Sequence, residues 1–273
     1  MNPAYPGILA ILLYILGSYS QLQTLNRRAP GEARRLLALA IPAVALHGLT
    51  VYLVAYGVGS GVDGTGGVDL SLFTIASVIA FALTFTVVIA SFSQPLHNLY
   101  IFVFPLSIVA VAGSLLFGGT QVRTDLDDGL VTHIVISVVA YTALTMAAFQ
   151  AILLSIHERQ IRTKESIAII RILPPLQTME AMLFQLLWIG LIFLTLSIAS
   201  GFIFLDDMFA QHVAHHTVLA SASWAAYVIL LGGHYVLGWR GATATRWTLV
   251  AFGLLALGYF GSKFVLEFIL GPR

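Results

Sequence analysis

The chain has 273 residues, 59% of them hydrophobic and only 9% charged, with a net charge of +1 and a mean hydropathy of +0.93. A soluble domain is about 25% charged, so the composition excludes a soluble globular fold. Basic residues sit at the ends of apolar runs, which leaves nothing for nucleic-acid binding, and the absence of cysteine excludes thiol–disulfide exchange, iron–sulfur ligation and covalent haem attachment through C-x-x-C-H.

Eight apolar runs follow one another at about 4–22, 36–58, 71–91, 98–118, 130–155, 179–203, 215–238 and 247–269. Each is long enough to cross a hydrocarbon core of roughly 30 Å as a helix. The runs are continuously apolar and rich in Leu, Ile, Ala and Phe, without the alternation of a membrane barrel. The predicted fold class is all-α, a polytopic membrane helical bundle with about eight transmembrane helices in a single integral-membrane domain over residues 1–273, in contact with membrane lipid.

The first run is followed, not preceded, by Arg27, Arg28, Arg34 and Arg35, so it reads as a span and not as a cleaved signal. Positive charge marks the cytoplasmic side. Loop 156–176 holds Arg159, Arg162, Lys164 and Arg171, and loop 239–246 holds Arg240 and Arg246. With eight spans these loops share a side with the first. The opposite loops carry Asp63 and Asp69, then Asp125, Asp127 and Asp128, then Asp206 and Asp207, against Arg123 alone. Both termini are therefore expected outside.

In span two, His47 lies ~17 Å beyond Arg35 along the helix. An imidazole at that depth needs a hydrogen-bond partner or something to ligate. The stretch GVGSGVDGTGGVD is expected to be a flexible outer turn, and SFSQPLH a tight inner one. His97 and His157 fall at inner ends and read as solvated. Span five opens with His133, Ser137 and Tyr141 at i, i+4 and i+8, on one helical face. The isoleucines of loop 156–176 (Ile161, Ile167, Ile169, Ile170) are placed for a short interfacial helix that Pro174-Pro175 would stop.

Four of the eight histidines fall between Gly201 and Tyr235. His212, His215 and His216 share a polar gap with Asp206 and Asp207. Of these, His215 and His216 open span seven at the depth where His133 opens span five. Imidazoles on different helices at equal depth can converge on one ligand, so His133 with His215 or His216 is a candidate pair of haem-iron ligands. His234 stands eighteen residues after His216, on the same face ~27 Å away. Ser223 and Tyr227 lie between them on that stripe. His234 with Tyr235, Trp239 and Arg240 also fits an interfacial anchor belt. In span eight, Lys263 is set either to pair with Glu267 at i+4 or to meet an anionic group.

HIVISVVAY opening span five, LPPLQTME leading into span six, the acidic loop, HHTVLASASWAAY, GWRG and the final GYFGSKFVLE together resemble the cytochrome c assembly membrane-protein family. The likeness is to its short eight-span inner-membrane branch, the YpjD type, related to CcsA, CcmC and HemX. It covers nearly the whole chain and is most specific from Leu173 to Lys263. The resemblance implies a bacterial inner-membrane protein that handles haem b at its outer face, in some members for delivery to a cytochrome c maturation partner, with His133 matching the family's outer histidine. Two features depart from the larger relatives. FLDDMFAQHVAHH lacks the tryptophans of their haem loop, and Lys263 stands near where a second outer histidine is expected. His215 or His216 would then substitute as ligand. The cofactor-binding candidates are thus His133, His215, His216, His47 and His234, with His133 and His216 as iron ligands. Two other readings bind no haem. One is a transporter or ion-permeation accessory using the His216–His234 stripe, and the other a non-catalytic assembly factor that docks a membrane partner. No base or nucleophile marks an enzyme.

Overall fold

The computed structural model describes residues 2–26, 32–57, 67–94, 96–119, 122–123, 126–163, 173–204 and 214–269. Among the described residues, eight helices are long and apolar enough to cross a membrane, and the protein is an all-α polytopic bundle. In chain order they are α1 (Ala4–Asn26), α2 (Glu32–Gly57), α3 (Leu72–Ala90), α4 (Tyr100–Phe117), α5 (Asp128–Thr163), α6 (Leu176–Phe204), α7 (Ala214–Leu237) and α8 (Gly241–Ala256). Beyond α8 the helix runs on through π-helical turns at Leu257–Gly261 and Val265–Ile269. Two helices depart from the expected spans. α5 continues well past residue 155, and α8 begins at Gly241, so most of the expected 239–246 loop is already helix. The interfacial helix expected around Ile167, Ile169 and Ile170, the Gly-rich turn up to Gly66, and Asp206, Asp207 and His212 lie outside the described residues.

The helices form two compact units, one holding α1 to α4 and the other α5 to α8. In unit 1 the four helices enclose Tyr14, Leu83, Leu99, Tyr100, Val103 and Phe104, all fully buried. Glycines let rings approach helix backbones: Gly17 lies against Phe104, Gly48 against Phe81 and Gly113 against Phe73. Such small residues permit the close packing that holds helices together in lipid, where apolar burial drives little. Ile8, Leu12, Ile15 and Leu16 on α1 are exposed, as a lipid-facing stripe requires. Two short strands, β1 (Val68–Asp69) and β2 (Val122–Arg123), pair antiparallel at one end of the unit.

Unit 2 is built on the long α5–α6 pair, where Gly190 admits the Leu144 side chain. α6 and α7 are tied by Trp188 Nε1 donating to Tyr235 Oη (3.0 Å) and Trp224 Nε1 donating to Thr195 Oγ1 (2.9 Å). The turn from α7 to α8 bends through Gly238 (φ 68°) and Gly241 (φ 52°). Those left-handed values suit glycine, which has no Cβ to clash.

Candidate functional site

At one end of unit 2, α5, α6, α7 and the π-helical turn after α8 bring polar side chains together. His133, in the second turn of α5, places Nδ1 3.0 Å from Ser200 Oγ on α6. Its Nε2 is 3.5 Å from Ser137 Oγ, beyond the range of a good hydrogen bond. Ser137 in turn donates to the His133 carbonyl at 2.7 Å and meets Ser197 Oγ at 2.7 Å. One ring nitrogen is therefore fixed and the other is left nearly uncommitted. This is how proteins commonly hold a histidine that is to bind metal, because a partner on one nitrogen sets the tautomer and aims the other.

His216, on α7, lies near His133. Among the described residues neither of its ring nitrogens has a hydrogen-bond partner. Its ring stands edge-on to Tyr259, 5.8 Å between centroids. Tyr259 packs on Tyr141 at 5.7 Å and on Phe260 at 5.3 Å. The Lys263 ammonium lies 6.0 Å from the centre of the Tyr259 ring and 3.3 Å from Glu267 Oε1. Gly258 makes this approach possible: a Cβ there would meet Leu219 Cβ at 3.1 Å and the His216 carbonyl at 3.5 Å. The π-helical register that carries Tyr259 is of the kind that recurs at functional sites.

The other candidate histidines are disposed differently. His215 is exposed, turned about 100° from its neighbour by the helical step. His234 lies at the far end of α7, stacked 3.5 Å from Phe184 and with Nδ1 2.8 Å from the Trp239 carbonyl, beside Tyr235. The stripe between His216 and His234 does face inward, since Ser223 and Tyr227 are fully buried. Ser223 donates to the Ala251 carbonyl at 2.7 Å.

His47 belongs to unit 1 and is fully buried. Nδ1 meets Tyr14 Oη at 3.1 Å and Nε2 meets Ser77 Oγ at 3.0 Å. Of the two roles its depth demanded, the structure supplies the hydrogen-bonded one at both nitrogens.

His157 corrects an expectation. It is not solvated but 8% exposed, with Nδ1 3.5 Å from Met179 Sδ on α6. The reason is that α5 runs on to Thr163, so position 157 is helix interior packed on a neighbour and not a helix end. His97 is half-buried, and its Nδ1 is enclosed without a protein partner.

Sequence reasoning passed over Asp69, treating it as one more outer charge. The side chain is 1% exposed. Its carboxylate accepts from Ser71 N–H (3.1 Å), Ser71 Oγ (2.8 Å), the Gly119 N–H (2.8 Å) and Thr74 Oγ1. Burial pushes its carboxyl pKa up, but the hydrogen bonds from Thr74, Gly119 and Ser71 outweigh that and hold it below the usual range. The D-x-S-x-x-T spacing ahead of α3 was the available signal, since carboxylates and hydroxyls there satisfy the free N–H groups of a helix start.

Among the described residues no group of three or more His, Asp or Glu side chains is arranged to hold a metal ion. The arrangement in unit 2 is instead two imidazoles beside an aromatic wall with one cation. Imidazoles of this kind could ligate a metal centre, and the rings beside them could pack on a flat apolar group.

Comparison with known proteins identifies the family. The family described as Cytochrome C assembly protein matches residues 37–270. The Inner membrane protein YpjD of Escherichia coli strain K12 is 28% identical over 267 residues, 96% of this chain and 98% of its own. An uncharacterised 28.8 kDa protein encoded in the nifR3-like 5' region of Azospirillum brasilense is 35% identical over 141 residues, 51% of this chain and 52% of its own. No solved structure matches. Eight membrane-crossing helices and a match spanning most of the chain lead to one conclusion: this multi-pass membrane protein belongs to the cytochrome c assembly protein family.

Proposed function

We propose that the protein binds haem b at the His133–His216 end of unit 2 and handles it in the service of cytochrome c biogenesis, in the bacterial inner membrane with that end facing outward. The observation that carries this reading is the half-committed state of His133. Ser200 holds Nδ1, so Nε2 is the nitrogen left to ligate. His216 would be the second ligand, and it brings ring nitrogens that no described residue engages. Tyr259, Tyr141 and Phe260 would cover one part of the macrocycle, and Lys263, now paired with Glu267, would meet a propionate. Bound haem would supply an iron centre that can change oxidation state. The chain's own part is to orient the imidazoles, exclude water and place a positive charge. The acidic outer segment around Asp206 would then be where a maturation partner docks.

The test is a haem titration of the purified protein in detergent, followed in the visible range. A saturable Soret shift is expected, lost in His133→Ala and in His216→Ala and retained in His234→Ala and His215→Ala. A shift that survives both His133→Ala and His216→Ala would place the ligands elsewhere.

A further inference from the structure

Unit 1 contains a column of polar side chains in the middle of an otherwise apolar four-helix packing. Along α3 and its two capping residues, Ser77, Thr84 and Ser91 are seven residues apart, with Thr74 and Ser71 beyond Ser77, and all five are buried. Seven residues is close to two helical turns, so the first three form one stripe. Facing them are Tyr14 of α1, His47 of α2, and Ser107 and Tyr100 of α4, all 0% exposed. Burying so many polar groups away from water is costly, and an ionisable group at membrane depth, here His47, is a functional-site hypothesis by default.

The middle of the column is a connected chain. Ser77 Oγ is 3.0 Å from His47 Nε2, and His47 Nδ1 is 3.1 Å from Tyr14 Oη. Tyr14 also faces the hydroxyls of Thr84 and Ser107, which are 2.8 Å apart. Every member is both donor and acceptor, so the direction of all the hydrogen bonds can reverse. Against the His47 ring stand Tyr14, Ser77 and Phe81, none of them charged, while the charged residues of α2 (Glu32, Arg34 and Arg35) lie at its start, about three turns before His47.

A second, independent observation lies at the end of the unit where α1 finishes and α4 begins. Gln21 Oε1, His97 Nδ1, both polar atoms of the Asn98 amide, and Tyr100 Oη are buried with no protein partner in hydrogen-bond distance. Gln21 and Asn98 are 2% and 4% exposed, and Gln21 Nε2 donates to the His97 carbonyl at 3.2 Å, which draws the group together. Five such atoms in one place need water, since buried water typically makes about three hydrogen bonds to groups of this kind. Tyr100 stacks on Phe104 and Phe104 on Tyr14, so the cluster lies one aromatic ring away from the connected chain, a gap that water would have to bridge.

From these two features we infer that unit 1 conducts protons, through a hydrated inlet at Gln21, His97, Asn98 and Tyr100 and a relay Thr84/Ser107–Tyr14–His47–Ser77. A proton reaching Tyr14 Oη releases the phenolic proton to His47 Nδ1. The proton on Nε2 passes to Ser77 Oγ, and Ser77 releases its own, through water, to the separate hydroxyl group of Thr74 and Ser71 about one helical turn away. One proton enters, one leaves, and nothing is oxidised or reduced. Tautomer exchange and hydroxyl rotation reset the chain. This activity is separate from the haem reading and stands or falls without it.

The experiment is proton uptake by the full chain in liposomes loaded with a pH-sensitive dye, driven by a potassium gradient with valinomycin. Uptake above that of protein-free liposomes is expected for the wild type. Tyr14→Phe and Ser77→Ala, which remove one hydroxyl each with little change of shape, should return it to the protein-free level. Thr50→Val is the control, because its hydroxyl is buried in the same unit but bonded to its own helix at the Leu46 carbonyl, and it should leave uptake unchanged. Helical content measured on each variant separates lost conduction from lost folding. No uptake by the folded wild type, or uptake that persists in folded Tyr14→Phe and Ser77→Ala, would overturn the inference.

Discussion

The two units use the same kind of side chain in opposite ways. In unit 1 the imidazole of His47 is committed at both nitrogens, to Tyr14 and Ser77, and the Asp69 carboxylate accepts from three residues. In unit 2 the imidazole of His133 is committed firmly at one nitrogen only, and His216 at neither among the described residues. Groups of the first sort hold helices together. Groups of the second sort have valence to spare for a ligand. The residue type is the same in the two cases; the partners decide.

Breaking the closed side should cost stability before anything else. His47→Ala would leave two buried hydroxyls short of a partner and open a cavity. We expect a loss of about 3–5 kcal/mol in unfolding measurements, a larger effect than any other single substitution named for either unit.

Asp69→Asn should follow at about 2–3 kcal/mol, because the new amide NH2 faces donors in place of an acceptor. The wild type should also show an acid-dependent component that this variant lacks. Asp69 has a carboxyl pKa lowered in the folded state, so its contribution is complete above the unfolded value of about 3.9. It is lost as pH falls below that through the folded value. Unfolding measured as a function of pH would show the component vanish in Asp69→Asn.

On the open side the order of effects inverts. His133→Ala should cost about 1 kcal/mol of stability, since Ser200 keeps its bond to the Ser197 carbonyl at 2.9 Å, yet it should abolish haem binding. Lys263→Ala should be milder still, about 0.5 kcal/mol for an i, i+4 ion pair, while weakening haem affinity without removing it. If His133→Ala destabilised the protein as strongly as His47→Ala, the distinction between the two units would fail.

Much of the architecture was legible in the sequence, and the limits have physical reasons. Span number and order follow from hydrophobic run length, which the bilayer itself imposes. The inward face of α7 was readable because Ser223 and Tyr227 keep helical phase with His216. Helix ends were harder. A span calculation stops where charge begins, at Glu158 and Arg159, but the α5 hydrogen-bond ladder continues to Thr163 and buries His157 against Met179. The partners of the key groups were the least readable of all. Ser200 lies 67 residues from His133, and Gly119 lies 50 residues from Asp69. No local pattern encodes such pairings, which depend on how helices dock. Tyr259 reaches His216 only through the π-helical turn, and a period of 3.6 does not foresee that register.

Whether unit 2 carries an iron-ligating imidazole pair is decided by the reduced-minus-oxidised visible spectrum of the protein, purified from cells supplied with haem. The expected result is a Soret band with the sharp α and β bands of six-coordinate b-type haem, absent from His133→Ala and His216→Ala prepared alongside. A well-folded wild-type protein with no Soret band under those conditions would mean that the His133–His216 pair does not hold haem.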